Sequence, residues 1–174
     1  MDANLRDHWL TCDDDALLAD CEFDTYRASG PGGQKRNKTS SAVRLRHRPS
    51  GLIVIAEESR SQRENKARAI RRLRRAIALA VRQPVGPHWQ VTPRVRGYLT
   101  ASGRINISPR NPDYPAVVAA ILDVSAAFHG RIRDAAEQFG ITTAQLSRFI
   151  TDDGKLLAAV NEIRRAAGAR PLTP

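Results

Sequence analysis

The sequence predicts an α+β chain: a small antiparallel sheet with a glycine-rich loop and one long basic helix, then a proline-rich connector and an all-α, helix-turn-helix-like C-terminal unit. Three observations carry this. Residues 21–27 and 43–56 show the alternation and β-branched runs of strands, punctuated by turn residues. From Ser61 to about Arg82 the apolar period becomes helical. Residues 83–112 hold five prolines and three glycines, and helical spacing returns only at Pro115. The expected organisation is a first domain at 1–82 (an acidic helix within 11–20 and a core at 21–82), a connector at 83–112 and a helical unit at 113–174.

Each element has a local reason. Thr11 or Asp13 can cap Asp14–Ala19, with acids favourably placed at the positive helix start. Cys21–Arg27 alternates as a half-buried strand. Ser29-Gly30-Pro31-Gly32-Gly33-Gln34 cannot sustain a regular element and is read as a loop. Val43, Leu45 and His47 alternate with Arg44, Arg46 and Arg48, a strand with a basic outer face. Arg48-Pro49-Ser50-Gly51 supplies turn chemistry, and Leu52–Ala56 returns as the hairpin partner. In the long helix Ala67, Ile70, Leu73, Ile77 and Val81 form the expected buried stripe, with Arg63, Lys66, Arg68, Arg71, Arg72, Arg74 and Arg75 around it. Val91, Val95, Tyr98, Leu99, Ile105 and Ile107 can anchor the connector, where Trp89 is either a packing anchor or a base-stacking platform. Four helices follow, at about 115–128, 131–139, 142–149 and 153–167.

Charge is unevenly spread over the 174 residues, whose net charge is +10. Residues 1–26 hold one arginine against eight acids, whereas residues 27–82 hold sixteen basic residues against three acids. Such a surplus in one segment is an electrostatic footprint for a polyanion. No run reaches the ~20 apolar residues of a membrane span, and the acidic start lacks the apolar core of a secretory signal. Cys12 and Cys21 lack CxxC spacing and the four histidines are scattered, which points away from a metal site or disulfide framework and toward a reducing cytoplasm. No cofactor is called for.

A lone Gly-Gly-Gln is weak evidence, but its setting is specific. Arg27-Ala28-Ser29-Gly30-Pro31-Gly32-Gly33-Gln34, then Asn37-Lys38-Thr39-Ser40-Ser41-Ala42-Val43, then Glu58-Ser59-Arg60-Ser61-Gln62 opening a basic helix, occur in order between strand candidates. This set resembles the catalytic domain of class I peptide chain release factors over about residues 20–82. Within that family it is most similar to the codon-independent ribosome-rescue proteins. The resemblance implies ribosome-dependent hydrolysis of the peptidyl-tRNA ester, with large-subunit ribosomal RNA at the peptidyl transferase centre and peptidyl-tRNA as partners. It also implies that a glutamine N5-methyltransferase is a candidate partner acting on Gln34. Gln34 takes the catalytic role, its backbone amide facing developing oxygen charge and its side chain orienting water, while Gly32 and Gly33 set the backbone. Adjacent glycines suit that task because they permit positive φ and remove every Cβ from a crowded approach. The loop holds no His, Asp, Glu or Cys to act as a base, so proton transfer falls to the ribosome and the tRNA.

Lys35 and Arg36 stand where the family often has a small or polar residue and then an aliphatic one after its glutamine, and both become candidates for RNA contact. Lys38, Arg44, Arg60, Arg63, Lys66, Arg71 and Arg74 complete the candidate RNA-binding set. About 26 residues precede the loop, which leaves no room for a codon-reading domain and makes stop-codon recognition unexpected. Residues 135–149 resemble a helix-turn-helix, with Ala136 at the helix crossing, Gly140 in the turn and Ile141, Leu146 and Phe149 in the core. An ordinary packed pair, a DNA reader and a docking module for rRNA, tRNA or a ribosomal protein all fit that pattern. The competing function is a non-catalytic RNA- or DNA-binding protein that docks through the same basic domain and helices.

Overall fold

The computed structural model describes residues 5–26 and 41–173, which divide into two compact units at residues 5–77 and 78–173. Two short helices open the first, α1 (Leu5–Thr11) and α2 (Asp14–Ala19). Only the second was expected. A seven-residue helix is not self-sustaining; α1 persists because Trp9 and Leu10 are 1% and 2% exposed. The Trp9 indole N–H donates to Asp20 Oδ2 at 3.0 Å, and its ring meets His47 edge-on at 4.5 Å. Asp13 caps α2 as its residue type predicts, accepting from the Ala16 N–H at 2.7 Å.

The sheet is antiparallel, in the order β1 (Cys21–Tyr26), β2 (Ala42–His47), β3 (Ile53–Ala56). Its register runs from Cys21↔His47 to Tyr26↔Ala42 on one side and from Arg46↔Ile53 to Val43↔Ala56 on the other. Central β2 buries Val43, Leu45 and His47 and turns Arg44 and Arg46 outward, as its alternation predicts. β1 departs from expectation. As an edge strand it buries only Cys21, and Phe23 stays 42% exposed beneath the Lys66 ammonium. The β2–β3 turn closes through the Gly51 N–H on the His47 carbonyl at 2.8 Å, with Gly51 at φ +70°, where a Cβ would be strained.

The long basic helix is α3 (Gln62–Ala80). Ser61 Oγ accepts from the Glu64 N–H at 3.3 Å and caps its first turn. Its buried residues are Asn65, Ala69, Ile70, Leu73, Ile77 and Ala78. Ala67 and Val81, expected on that stripe, are only half-buried. Positions 65, 69, 73 and 77 follow at four-residue intervals, so polar Asn65 continues the apolar row. Sheet and helix together make the α+β class.

In the second unit the proline-rich stretch carries more structure than an extended connector. α4 (Pro93–Arg96) is capped by Thr92, and Leu99 pairs with Ile105 around the Thr100–Arg104 turn. Val91 and Val95 are buried, and Trp89 sits edge-on to Phe139 with ring centroids 5.7 Å apart, a packing anchor. α5 (Tyr114–Ala127) runs through the core, with Val117, Val118, Ile121, Leu122 and Val124 shut off from solvent. α6 (Ile132–Phe139), α7 (Thr143–Thr151) and α8 (Gly154–Ala166) complete the bundle. Gly140 ends α6 at φ +67°, and the Ile141 N–H returns to the Ala136 carbonyl at 3.1 Å, the Schellman pattern. Asp153 caps α8 and accepts the Tyr114 hydroxyl at 2.6 Å. Ala136, Ile141 and Leu146 are buried, whereas Phe149 is half-buried and tilted over Tyr114. No helix among the described residues is long and apolar enough to cross a membrane.

Candidate functional site

Gly32, Gly33, Gln34, Lys35, Arg36 and Lys38 lie outside the described residues. The structure shows the framework at either end of the segment that carries them. Tyr26 closes β1 and pairs with Ala42, the first residue of β2. The Tyr26 hydroxyl donates to Glu57 Oε2 at 3.2 Å; burial first, and this carboxylate second, push its pKa up. Ser41, just before the ladder, gives its carbonyl to the Asn65 amide at 2.7 Å.

The basic candidates sort into two groups by what they already touch. Arg44 is drawn to Asp24 at 2.7 Å, directly opposite it in the β1–β2 register, and Arg46 lies 3.7 Å from Glu22 in the same relation. Cross-strand pairing of opposite charges explains both. Arg74 is 13% exposed, bonding Asp14 at 2.6 Å and the Cys12 carbonyl at 2.7 Å. Lys66 is half-buried, its ammonium 6.0 Å from the Phe23 ring centroid. Arg72 turns to Glu58 and the Ile55 carbonyl, and Arg68 to Glu58 at 3.9 Å and Glu64 at 3.7 Å. The hydrogen bond from Arg72 holds the Glu58 carboxyl below the usual carboxylate range.

Arg60, Arg63 and Arg71 are exposed. Arg63 and Arg71 stand two turns apart on α3, about 12 Å along its axis at the helical rise. The sequence offered a signal for part of this sorting, since Glu64 and Arg68 have the i, i+4 spacing of a helical ion pair. It offered none for the Arg74–Asp14 contact, which spans 60 residues.

Among the described residues, no cluster of three or more His, Cys, Asp or Glu side chains is placed to hold a metal. Cys12 and Cys21 are free thiols, and burial pushes Cys21 up to about 11.

Comparison with known proteins bears on this framework. The RF-1 domain family model matches residues 16–87. The peptide chain release factor 2 of Acidithiobacillus ferrooxidans is 57% identical over 56 residues, 32% of this chain and 15% of that protein. The peptide chain release factor 1 of Lacticaseibacillus casei is 55% identical over 58 residues, 33% of this chain and 16% of that protein. The chain therefore spans about one sixth of the length of the curated relatives it matches. Through residues 16–87 it carries a class I release-factor catalytic domain of the RF-1 family.

Proposed function

We propose that this chain hydrolyses the ester of peptidyl-tRNA on the ribosome and releases nascent peptide without reading a stop codon. The observation that carries the reading is that Gly32-Gly33-Gln34 falls inside the matched segment 16–87. In the reaction a water oxygen bonds to the ester carbonyl, the ribose oxygen leaves, and a proton passes from the water to that oxygen. The backbone N–H of Gln34 faces the developing oxyanion; one such donor contributes about 2.7–4 kcal/mol in comparable acyl transfer. The side chain of Gln34 orients the water. Off the ribosome the protein is nearly inert, because the loop holds no residue able to take the proton.

Ribosomal RNA phosphates are met by the exposed row Arg60, Arg63 and Arg71, with Lys35, Arg36 and Lys38 beside the catalytic residues. Phosphate contacts of this kind position the protein and carry no sequence information. Residues 78–173 accompany the domain as a helical unit with its own core, which supports selection of the ribosome by docking rather than by codon reading. Methylation of Gln34 by an N5-methyltransferase would tune the same site.

The test is peptide release from purified ribosomes holding peptidyl-tRNA, with an empty A site, a sense codon or a stop codon. Release in the empty-site arm, lowered by at least 100-fold in Gly33→Ala with ribosome binding retained, is the expected result. Release only with a stop codon overturns codon independence. Binding without release by the unmodified protein favours the non-catalytic RNA-binding alternative.

A further inference from the structure

We propose that Asn65 is a positioning residue for peptide release, fixing the point where the segment bearing Gly32-Gly33-Gln34 re-enters the sheet; this rests on the function proposed above. Asn65 lies in the first turn of α3 and is shut off from solvent. A buried amide at this place is costly unless all its polar atoms are used, and here they are. Its Nδ2 donates to the Ser41 carbonyl at 2.7 Å and to the Ser59 carbonyl at 2.8 Å, while its Oδ1 accepts the Ser59 N–H at 3.0 Å.

Neither backbone partner belongs to the regular ladder or to the helix. Ser41 is the last residue before β2, seven positions after Gln34, and Ser59 lies between β3 and α3. The bonds therefore do not build a strand or a helix; they tie a chain exit to a helix start across 24 residues. The same 57–59 stretch holds the other end of the segment, through the Tyr26 hydroxyl on Glu57. Only an amide of this length supplies two donors and one acceptor to three groups so placed. Aspartate has the shape but no donors, and leucine would leave all three backbone groups without their bonds. Because a backbone amide must meet a reacting carbonyl, a shift of about 1 Å at the exit is expected to fall on the chemical step, where such displacements cost on the order of 100-fold.

The experiment compares Asn65→Asp with Ser50→Ala, which loosens the β2–β3 turn at the opposite end of the sheet, below both melting temperatures. Asn65→Asp is expected to lower kcat for peptide release at least 30-fold while the half-saturating concentration stays within threefold. Amide exchange at Ser41 and Ala42 should speed up at least tenfold. Ser50→Ala should keep wild-type kcat. If Asn65→Asp fails to fold, Asn65→Ser, which keeps one donor, takes its place with the same expectation. Wild-type kcat in the Asn65 variant, or an equal fall in Ser50→Ala, overturns the proposal. If the wild-type protein releases no peptide, the functional reading fails, and the exchange arm still decides the anchoring: unchanged exchange at Ser41 and Ala42 sinks it.

Discussion

Arg74 reaches back 60 residues to Asp14, Nη1 to Oδ1 at 2.6 Å, while its Nη2 takes the Cys12 carbonyl at 2.7 Å. A charged donor spent twice inside the fold is a stabilising group, and it has little left for RNA. Arg74→Gln is expected to lower stability by about 1.5–3 kcal/mol, the range for hydrogen bonds to charged groups. Urea unfolding would show it, and ribosome affinity measured below the transition should keep its wild-type salt dependence.

The exposed row behaves oppositely. Arg60, Arg63 and Arg71 stand in solvent rather than inside the fold. Replacing all three by glutamine should leave the melting temperature within a few degrees. The slope of log affinity against log salt should flatten by about 0.7–0.9 for each phosphate that the protein no longer neutralises. An unchanged slope would move the docking surface elsewhere.

His47 makes stability depend on pH. Its ring is closed to solvent, Nδ1 lies 2.7 Å from Ser50 Oγ, and Nε2 has no hydrogen-bond partner among the described residues. Burial lowers its pKa below 6.5, and the Asp20 carboxylate offsets this only in part. The folded state therefore holds the neutral ring, and the unfolded chain binds the proton first. Its contribution is whole above pH 6.5 and is lost as pH falls from there toward the folded pKa, at no more than about 1.4 kcal/mol per pH unit. Melting temperatures of wild type and His47→Gln between pH 8 and 5 should show this fall in the former and a shallower one in the latter.

Two glycines in the second unit separate strain from crowding. Gly130 and Gly140 both have positive φ, +71° and +67°. A Cβ on Gly140 would meet open space, but one on Gly130 would lie 2.5 Å from Arg164 Cγ and 3.0 Å from its Cα. Gly140→Ala should cost about 1–2 kcal/mol, the left-handed penalty alone. Gly130→Ala should cost more, because the backbone of α8 must also give way. Thermal unfolding of the two variants side by side checks the order.

Where periodicity was strong, the fold was legible in the sequence. The arginines interleaved with Val43 and Leu45 marked β2, and the Thr142 and Asp153 side chains marked the starts of α7 and α8. What escaped was decided by distant partners. α1 exists because of where Trp9 and Leu10 are buried, and nothing local in a seven-residue stretch announces that. In the connector the anchors Val91 and Val95 were legible, but the choice between packing and stacking for Trp89 was settled only by Phe139, 50 residues away. At the candidate site, the Gly-Gly-Gln motif and the positive charge of residues 60–75 were plain. Which arginines that charge leaves outward was not, because Asp14 claims Arg74 and Glu58 claims Arg68 and Arg72 through tertiary contact. Asn65 was passed over for the same reason: a polar residue on a buried row reads as an interruption until its three bonds are seen.

On the outer face of the sheet, Asp24 and Glu22 answer Arg44 and Arg46, whereas Arg63 and Arg71 on α3 have no such acids opposite them among the described residues. Among the described residues of this unit, charge is therefore cancelled on the outer sheet face and left over on α3. A polyanion's field would act on that uncancelled charge more than on the paired face, favouring approach to α3 among the described surfaces of this unit. The gain falls on the association rate and on the fraction of encounters that arrive facing the right way. It acts only while the field is felt, and salt near 0.15 M shortens that reach to about 8 Å.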